Sequence, residues 1–92
     1  MPTAAEYVKG RPGISSTLLQ IVENQLNTNQ PPESRETLDR LTGQGFTEED
    51  SKTLLAQVIR VEMLNVLKEN KPFNAERFLD SLHGLPELPE EP

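Results

Sequence analysis

The sequence predicts an all-α protein, and three observations support that prediction. No stretch shows the alternation of apolar and polar residues that strands need, and no Asn-Gly or Asp-Gly pair is present to form a hairpin turn. Proline, which breaks helix interiors, is absent from residues 13–30, 33–71 and 73–85. Apolar residues recur at helical spacing within those stretches. We therefore expect a compact bundle of four to five helices around one long central helix, at about residues 47–69.

Start signals predict the other helices, at about residues 3–9, 15–27, 32–42 and 74–83. Thr3 begins a capping-box pattern, and the next helix is expected to start near Ser15 or Ser16. Pro31 and Pro32 suit the first turn of the third, where a missing N–H costs nothing. Asn74 can cap the last helix.

Thr47 begins the long central helix. Its hydroxyl suits the cap position, and the three acidic residues that follow suit the positive end of a helix. Nothing interrupts the pattern before Glu69, which gives roughly 22 residues, or ~33 Å. Residues 1–85 are thus expected to form one helical domain. Residues 86–92 are acidic and proline-rich without apolar periodicity, and we expect them to be a disordered tail.

Composition argues against several classes of partner. The 92 residues carry 9 basic and 15 acidic side chains, and the basic ones are scattered singly, so we expect no nucleic-acid binding. No run of about 18 apolar residues and no signal-peptide pattern occur, so we expect no membrane association. The absence of cysteine fits a reducing compartment. We expect a cytoplasmic protein without a cofactor or bound metal.

The long helix is apolar around most of its circumference. At ~100° per residue, six apolar side chains fill an arc of about 160°, and three more occupy the remainder. The six are Val61, Leu54, Val58, Leu55, Val66 and Ile59, and the three are Leu64, Leu67 and Met63. Either the other helices wrap such a helix, or a second subunit shares it. We therefore predict association, with a second copy of the chain or with another protein, through Leu55, Ile59, Met63, Val66 and Leu67.

Two polar residues, Glu62 and Asn65, fall inside the apolar arc and are expected to be buried. A carboxylate in that position must be hydrogen-bonded, paired, metal-bound or protonated, because burying it alone is costly. Three interpretations stay open: a structural pair, a partly exposed side chain, or a metal ligand or general acid–base group. The candidate partners for a structural pair are Arg40, Arg77, Asn24 and Gln25.

The remaining candidates for chemistry are few. An acid–base or metal centre at Glu62 would draw on Glu23, Asn65 or His83. His83 is the single histidine, and its place at the end of the last helix favours a role in capping. The three phenylalanines, at positions 46, 73 and 78, sit at helix junctions and are expected in the core.

Several segments between residues 18 and 86 form a pattern: IVENQL at 21–26, the proline pair, LDRL at 38–41, QGF at 44–46, VIRVEMLNVL at 58–67, PFNAERF and LHGLP. This pattern resembles a family of uncharacterised bacterial helical domains. Members of that family often carry one histidine before the ENQ-like segment, another early in the long helix, and an acidic residue matching Glu62. Leu19 and Thr53 stand at the two histidine positions here. The resemblance implies a helical fold and, if the family's cluster is a metal or catalytic site, a chain that retains only Glu62 of it.

The run LTGQGFTEEDSKTLL, residues 41–55, carries a second resemblance. It looks like the helix, Gly-Phe loop and helix of ubiquitin-associated domains, which bind ubiquitin through that loop. Gln44 stands where those domains usually have methionine, and the following helix is about twice as long.

The leading hypothesis from the sequence is a small non-enzymatic helical protein that acts by association, as a homodimer or as an accessory subunit. The alternative is a metal-dependent or vestigial enzyme of the bacterial family, centred on Glu62. A third is a module like the ubiquitin-associated domains that binds a peptide or protein.

Overall fold

The protein is all-α, as predicted. The structure is a computed structural model that describes all 92 residues, and it contains no strand. A single 3-10 turn at Ala4–Glu6 precedes four helices, namely α1 (Ser16–Thr28), α2 (Pro32–Gly43), α3 (Glu48–Glu69) and α4 (Ala75–Gly84). The predicted ranges of these four helices differ from the observed ones by no more than one residue at either end. None of the helices has the length and apolar character needed to cross a membrane.

Side-chain caps account for three of the four helix starts. Ser15, Thr47 and Asn74 each accept a hydrogen bond from the backbone N–H three residues further on, at 3.2, 3.0 and 3.0 Å. α1 and α3 end at Asn29 and Asn70, both with a left-handed φ of 54°. Asparagine tolerates that conformation better than most residues, so local sequence also determines where these two helices end.

The expected helix at residues 3–9 is only a single 3-10 turn. Thr3 makes no side-chain cap, and the backbone N–H of Ala4 instead donates to Asp50 Oδ2 at 3.2 Å. The ring of Tyr7 lies 5.8 Å from that of Phe46, measured between centroids. These contacts attach the N-terminal segment to the start of α3. The prediction was wrong because a contact 46 residues away outweighs the local capping pattern.

α3 lies at the centre of the bundle, in contact with the 3-10 turn and with all three other helices. Between Leu54 and Glu62 every residue except Arg60 is buried. From Met63 to the end of the helix no residue is buried. The core therefore surrounds the middle of α3, from Leu54 to Glu62, and the last seven residues of the helix are less covered.

Polar contacts between helices complete the bundle. The hydroxyl of Ser34, which is fully buried, donates to Gln25 Oε1 at 2.8 Å and joins α2 to α1. Arg40 of α2 donates to the carbonyl oxygens of Leu82 at 3.0 Å and Leu85 at 2.7 Å. Because these carbonyls lie at the end of α4, Arg40 provides hydrogen bonds that the helix itself cannot supply there.

The C-terminal tail, residues 86–92, has no regular secondary structure, but it is held against the domain. Leu88 packs against the core next to the buried Leu85. Arg11 Nη2 donates to the carbonyl oxygen of Pro89 at 2.7 Å, and Arg60 is paired with Glu91. The expectation of a disordered tail does not agree with these contacts. The arginines lie 78 and 31 residues from the tail residues that they bind, so no local pattern could reveal the pairing.

We expect Leu54→Ala to lower the free energy of unfolding by about 2–5 kcal/mol, because it leaves a cavity around a side chain with no exposed surface. The matched control is Leu67→Ala, the same change in the same helix at a side chain that is 78% exposed. That variant should change the free energy by less than about 0.5 kcal/mol. Chemical denaturation of dilute protein, followed by circular dichroism, measures both. Equal losses would contradict the position of the core along α3.

Candidate functional site

Glu62 is buried, with 3% of its surface exposed, and both of its carboxylate oxygens are paired with Arg77 of α4. Arg77 Nε donates to Oε1 at 2.8 Å and Nη2 donates to Oε2 at 2.6 Å. Arg77 was one of the partners that the sequence suggested. This is the bidentate geometry in which an arginine binds both oxygens of a carboxylate. Asn65, the other polar residue expected to be buried, is only partly buried.

A second carboxylate completes this cluster. Arg77 Nη1 donates to Glu69 Oε1 at 2.6 Å, so one guanidinium group joins two acidic residues of α3. The hydrogen bonds that Arg77 donates to Glu62, and to a smaller extent the one to Glu69, raise the pKa of Arg77 above its ordinary value and keep the group charged. The cluster fastens α4 to α3, and each oxygen of Glu62 accepts a hydrogen bond from Arg77.

No group of three or more histidine, aspartate or glutamate side chains is placed to hold a metal ion. Glu23, a proposed helper of Glu62, is paired instead with Lys52 at 2.6 Å. His83 is exposed in the last turn of α4. Glu23 and Glu62 are thus paired with different basic side chains, Lys52 and Arg77.

A shallow cleft lies between α1 and the first turns of α3. It is lined by Leu19, Glu23, Glu48, Glu49, Lys52 and Thr53. Leu19 and Thr53 are the two positions at which the resemblance places histidines, so the fold does bring them to one cleft. Glu62 is not among the lining residues. Lys52 lies between Glu23 and Glu48, and its hydrogen bonds to them raise its pKa.

An apolar groove of about 300 Å³ lies at the other end of α3. All four residues that line it are hydrophobic: Met63, Val66, Leu67 and Phe73. Leu67 is 78% exposed and Phe73 56%. Four apolar side chains thus lie together at the surface, at the end of α3 and just beyond it. We call these four residues the apolar groove.

The groove agrees with only part of the predicted interface. Met63, Val66 and Leu67 belong to it, but Leu55 and Ile59 are 1% and 7% exposed and lie in the core of their own chain, so that part of the prediction was wrong. The earlier turns of α3 are wrapped by the other helices, and only its last turns project beyond them.

Phe73 is the groove residue that the sequence did not assign to an interface. It was expected in the core, together with Phe46 and Phe78, and those two are buried. Phe73 stands before the cap of α4, with its ring centroid 5.4 Å from that of Phe78. A residue before the helix cap and the fourth residue of the helix, here Phe73 and Phe78, often pack together as a hydrophobic staple, and this spacing agrees with the contact. It does not indicate how much of the ring faces solvent.

The Gly-Phe loop before α3 is covered. Phe46 is 4% exposed beneath Tyr7, and a Cβ atom on Gly45 would lie 3.1 Å from Pro2 Cδ. Gly45 also has a φ of 106°, which favours glycine. The loop that carries the likeness to ubiquitin-associated domains thus packs against the N-terminal segment.

Arg11 and Arg60 converge on the C-terminal tail. Their side chains are 17% and 14% exposed, and both approach the carboxylate of Glu91. Arg60 donates to Glu91 Oε1, and Arg11 Nη1 lies 3.7 Å from the same oxygen. The hydrogen bond from Arg60 is the main cause that lowers the pKa of the Glu91 carboxyl, and the charges of both arginines lower it further. We call Arg11 and Arg60 the arginine pair.

No protein-family model matches this chain, and comparison with curated proteins and with solved structures found no match.

Glu62→Gln is expected to lower the free energy of unfolding by roughly 2 kcal/mol, because a charged hydrogen-bond acceptor is lost at a buried position. Glu69→Gln is the matched control, since Glu69 binds the same guanidinium but keeps 35% of its side chain exposed. Its effect should stay below about 1 kcal/mol. Urea denaturation gives both values, and an unchanged stability in Glu62→Gln would refute a structural role for the buried pair.

Docking of the tail should depend on pH. Because the docked Glu91 has a lower pKa than the free tail, docking adds stability above the ordinary glutamate pKa of about 4.3 and loses it as the pH falls through the lowered value. The backbone amide resonances of Leu88 and Glu91 in ¹⁵N NMR spectra should therefore move to random-coil positions in acid. Glu91→Gln should show released positions already at neutral pH, and Glu90→Gln should behave as the wild type. A tail that stays docked at all pH values would contradict the pairing.

Proposed function

We propose that the protein acts by association, as a homodimer formed through the apolar groove. The observation that carries the proposal is the groove itself, four neighbouring apolar side chains that the chain leaves uncovered. Met63, Val66 and Leu67 have the three- and four-residue spacing that puts side chains on one side of a helix. They therefore offer a second helix a continuous surface.

The charges around the groove support a second copy as the occupant. Lys68 and Lys71 are exposed there beside Glu69, which binds Arg77 through Oε1 only and keeps 35% of its side chain exposed, so both signs are present at the end of α3. Two copies related by a twofold axis can therefore bring opposite charges together at the rim. A strongly charged partner would find no such complementarity. Homodimer interfaces are also the more apolar kind, in keeping with a groove lined only by hydrophobic residues.

The size of the groove supports a reversible dimer. Four side chains from each copy, with their neighbours, fall at the small end of specific interfaces, below about 1,200 Å² in total. We expect monomer and dimer to coexist at micromolar concentrations. A cytoplasmic location is part of the proposal and rests on the absence of cysteine, which suits a reducing compartment.

The alternatives gain less support. An enzyme centred on Glu62 would need a carboxylate that a substrate can reach, and Glu62 is 3% exposed and paired with Arg77. A binding module that uses the Gly-Phe loop would need an exposed loop, and Phe46 is buried. We therefore propose neither as the function.

Sedimentation equilibrium or light scattering between about 10 and 500 µM protein tests the proposal. The average mass should rise with concentration from the monomer value of 10.3 kDa toward twice that value. Leu67→Lys should remain monomeric, because it would place two ammonium groups in the apolar contact. Leu19→Lys, which changes an exposed leucine of α1 outside the groove, should dimerise like the wild type. A wild-type protein that is monomeric throughout this range would overturn the homodimer.

A further inference from the structure

The arginine pair holds the tail by one contact to a side chain and one to the backbone. Arg60 Nη2 donates to the carboxylate of Glu91, and Arg11 Nη2 donates to the carbonyl oxygen of Pro89 at 2.7 Å. Leu88 adds an apolar contact with the core. A carboxylate, a backbone carbonyl two residues earlier and an apolar side chain are the features by which a protein surface recognises a short peptide.

The folded domain holds the Arg60 side chain and the turn next to Arg11, whereas the polar contacts of the Arg11 side chain itself are with the tail. Arg60 Nε donates to Gln57 Oε1 at 3.0 Å, and Gln57 Nε2 donates to the carbonyl oxygen of Pro12 at 2.9 Å. Gln57 is 1% exposed. The buried Gln57 thus orients Arg60 directly. It also anchors the turn that carries Arg11, because Pro12 follows Arg11 in the chain. Gln57 therefore links the two segments that carry the arginine pair.

The docked tail supplies an anion to the site. Two guanidinium groups that approach the same carboxylate oxygen repel each other, and the negative charge of Glu91 offsets that repulsion. Glu91 is the one acidic side chain in a salt bridge with either arginine. Displacement of the tail would therefore leave a pair of arginines ready to accept another carboxylate.

The tail does not satisfy the site completely. Arg11 Nη1 is buried and has no hydrogen-bond partner, and the nearest carboxylate oxygen, on Glu91, is 3.7 Å away. Buried donors are normally satisfied, because leaving one unpaired costs free energy. A ligand whose carboxylate reaches both Arg60 and Arg11 Nη1 would make a hydrogen bond that the tail lacks.

We infer that the arginine pair is a binding site for an extended acidic peptide, and that the C-terminal tail of the same chain occupies this site when no such peptide is present. The ligand has a carboxylate side chain, a backbone carbonyl two residues before it and an apolar residue one position earlier, as in Leu88 to Glu91. Proline suits it because an extended segment that contains proline loses less entropy on binding. The site is separate from the apolar groove and does not depend on dimer formation.

The test uses full-length protein in which the tail is released by Glu91→Lys. A synthetic peptide of residues 86–92 is titrated into the ¹⁵N-labelled variant, into the wild type and into Glu90→Lys. Glu90 is exposed and makes no ion pair, so its variant matches the charge change and keeps the tail docked. We expect saturable shifts at Arg11, Gln57 and Arg60, with an affinity about tenfold or more higher for Glu91→Lys. A covalently attached tail competes at an effective concentration in the millimolar range, which gives this difference.

Changes in the peptide provide a control that leaves the protein intact. A peptide with Glu91→Gln should bind about tenfold or more weakly than the unmodified peptide, because it cannot pair with the guanidinium groups. Three results would each overturn the inference. They are no saturable shift in Glu91→Lys up to about 5 mM peptide, equal affinity in all three proteins, and undiminished binding of the glutamine peptide.

Discussion

The structure depends on one constraint: α3 is apolar around almost its whole circumference, and a chain of 92 residues must cover it. Three helices and the N-terminal segment cover it from Leu54 to Glu62. The covering elements end before the helix does, because its 22 residues extend ~33 Å and the other helices have 10 to 13 residues. The apolar groove lies at the part of α3 that these elements leave uncovered. The same constraint thus explains both the core and the surface proposed for association.

Arginines of this protein attach the peripheral segments to the bundle. Arg40 binds the carbonyls at the end of α4, Arg77 fastens the start of α4 to α3, and Arg11 and Arg60 hold the tail. A guanidinium group presents several donors in a fixed plane, so one side chain can satisfy two acceptors on another element. The first two arginines join helices of the bundle. The last two bind a terminal segment without regular secondary structure, and only they are proposed as a ligand site.

The two proposed surfaces are neighbours on α3. Arg60 and Met63 are three residues apart, and side chains at that spacing are adjacent on a helix. One surface is apolar and suits a second copy of the chain, whereas the other is basic and suits an acidic peptide. The net charge of the chain, −6, gives no indication of the basic surface at the arginine pair. Three of the acidic residues lie in the tail, and one of them, Glu91, neutralises the arginine pair.

The sequence by itself determined the all-α class and the limits of the four helices, because caps, prolines and left-handed asparagines act within one or two turns. It also placed Glu62 on the apolar side of α3. Only the tertiary structure decided that Arg77 binds Glu62, that Leu55 is covered while Leu67 is exposed, and that the tail is docked. These outcomes rest on contacts between residues 15 to 78 positions apart. A helical pattern shows which residues are apolar, but the neighbouring elements determine which of them are buried.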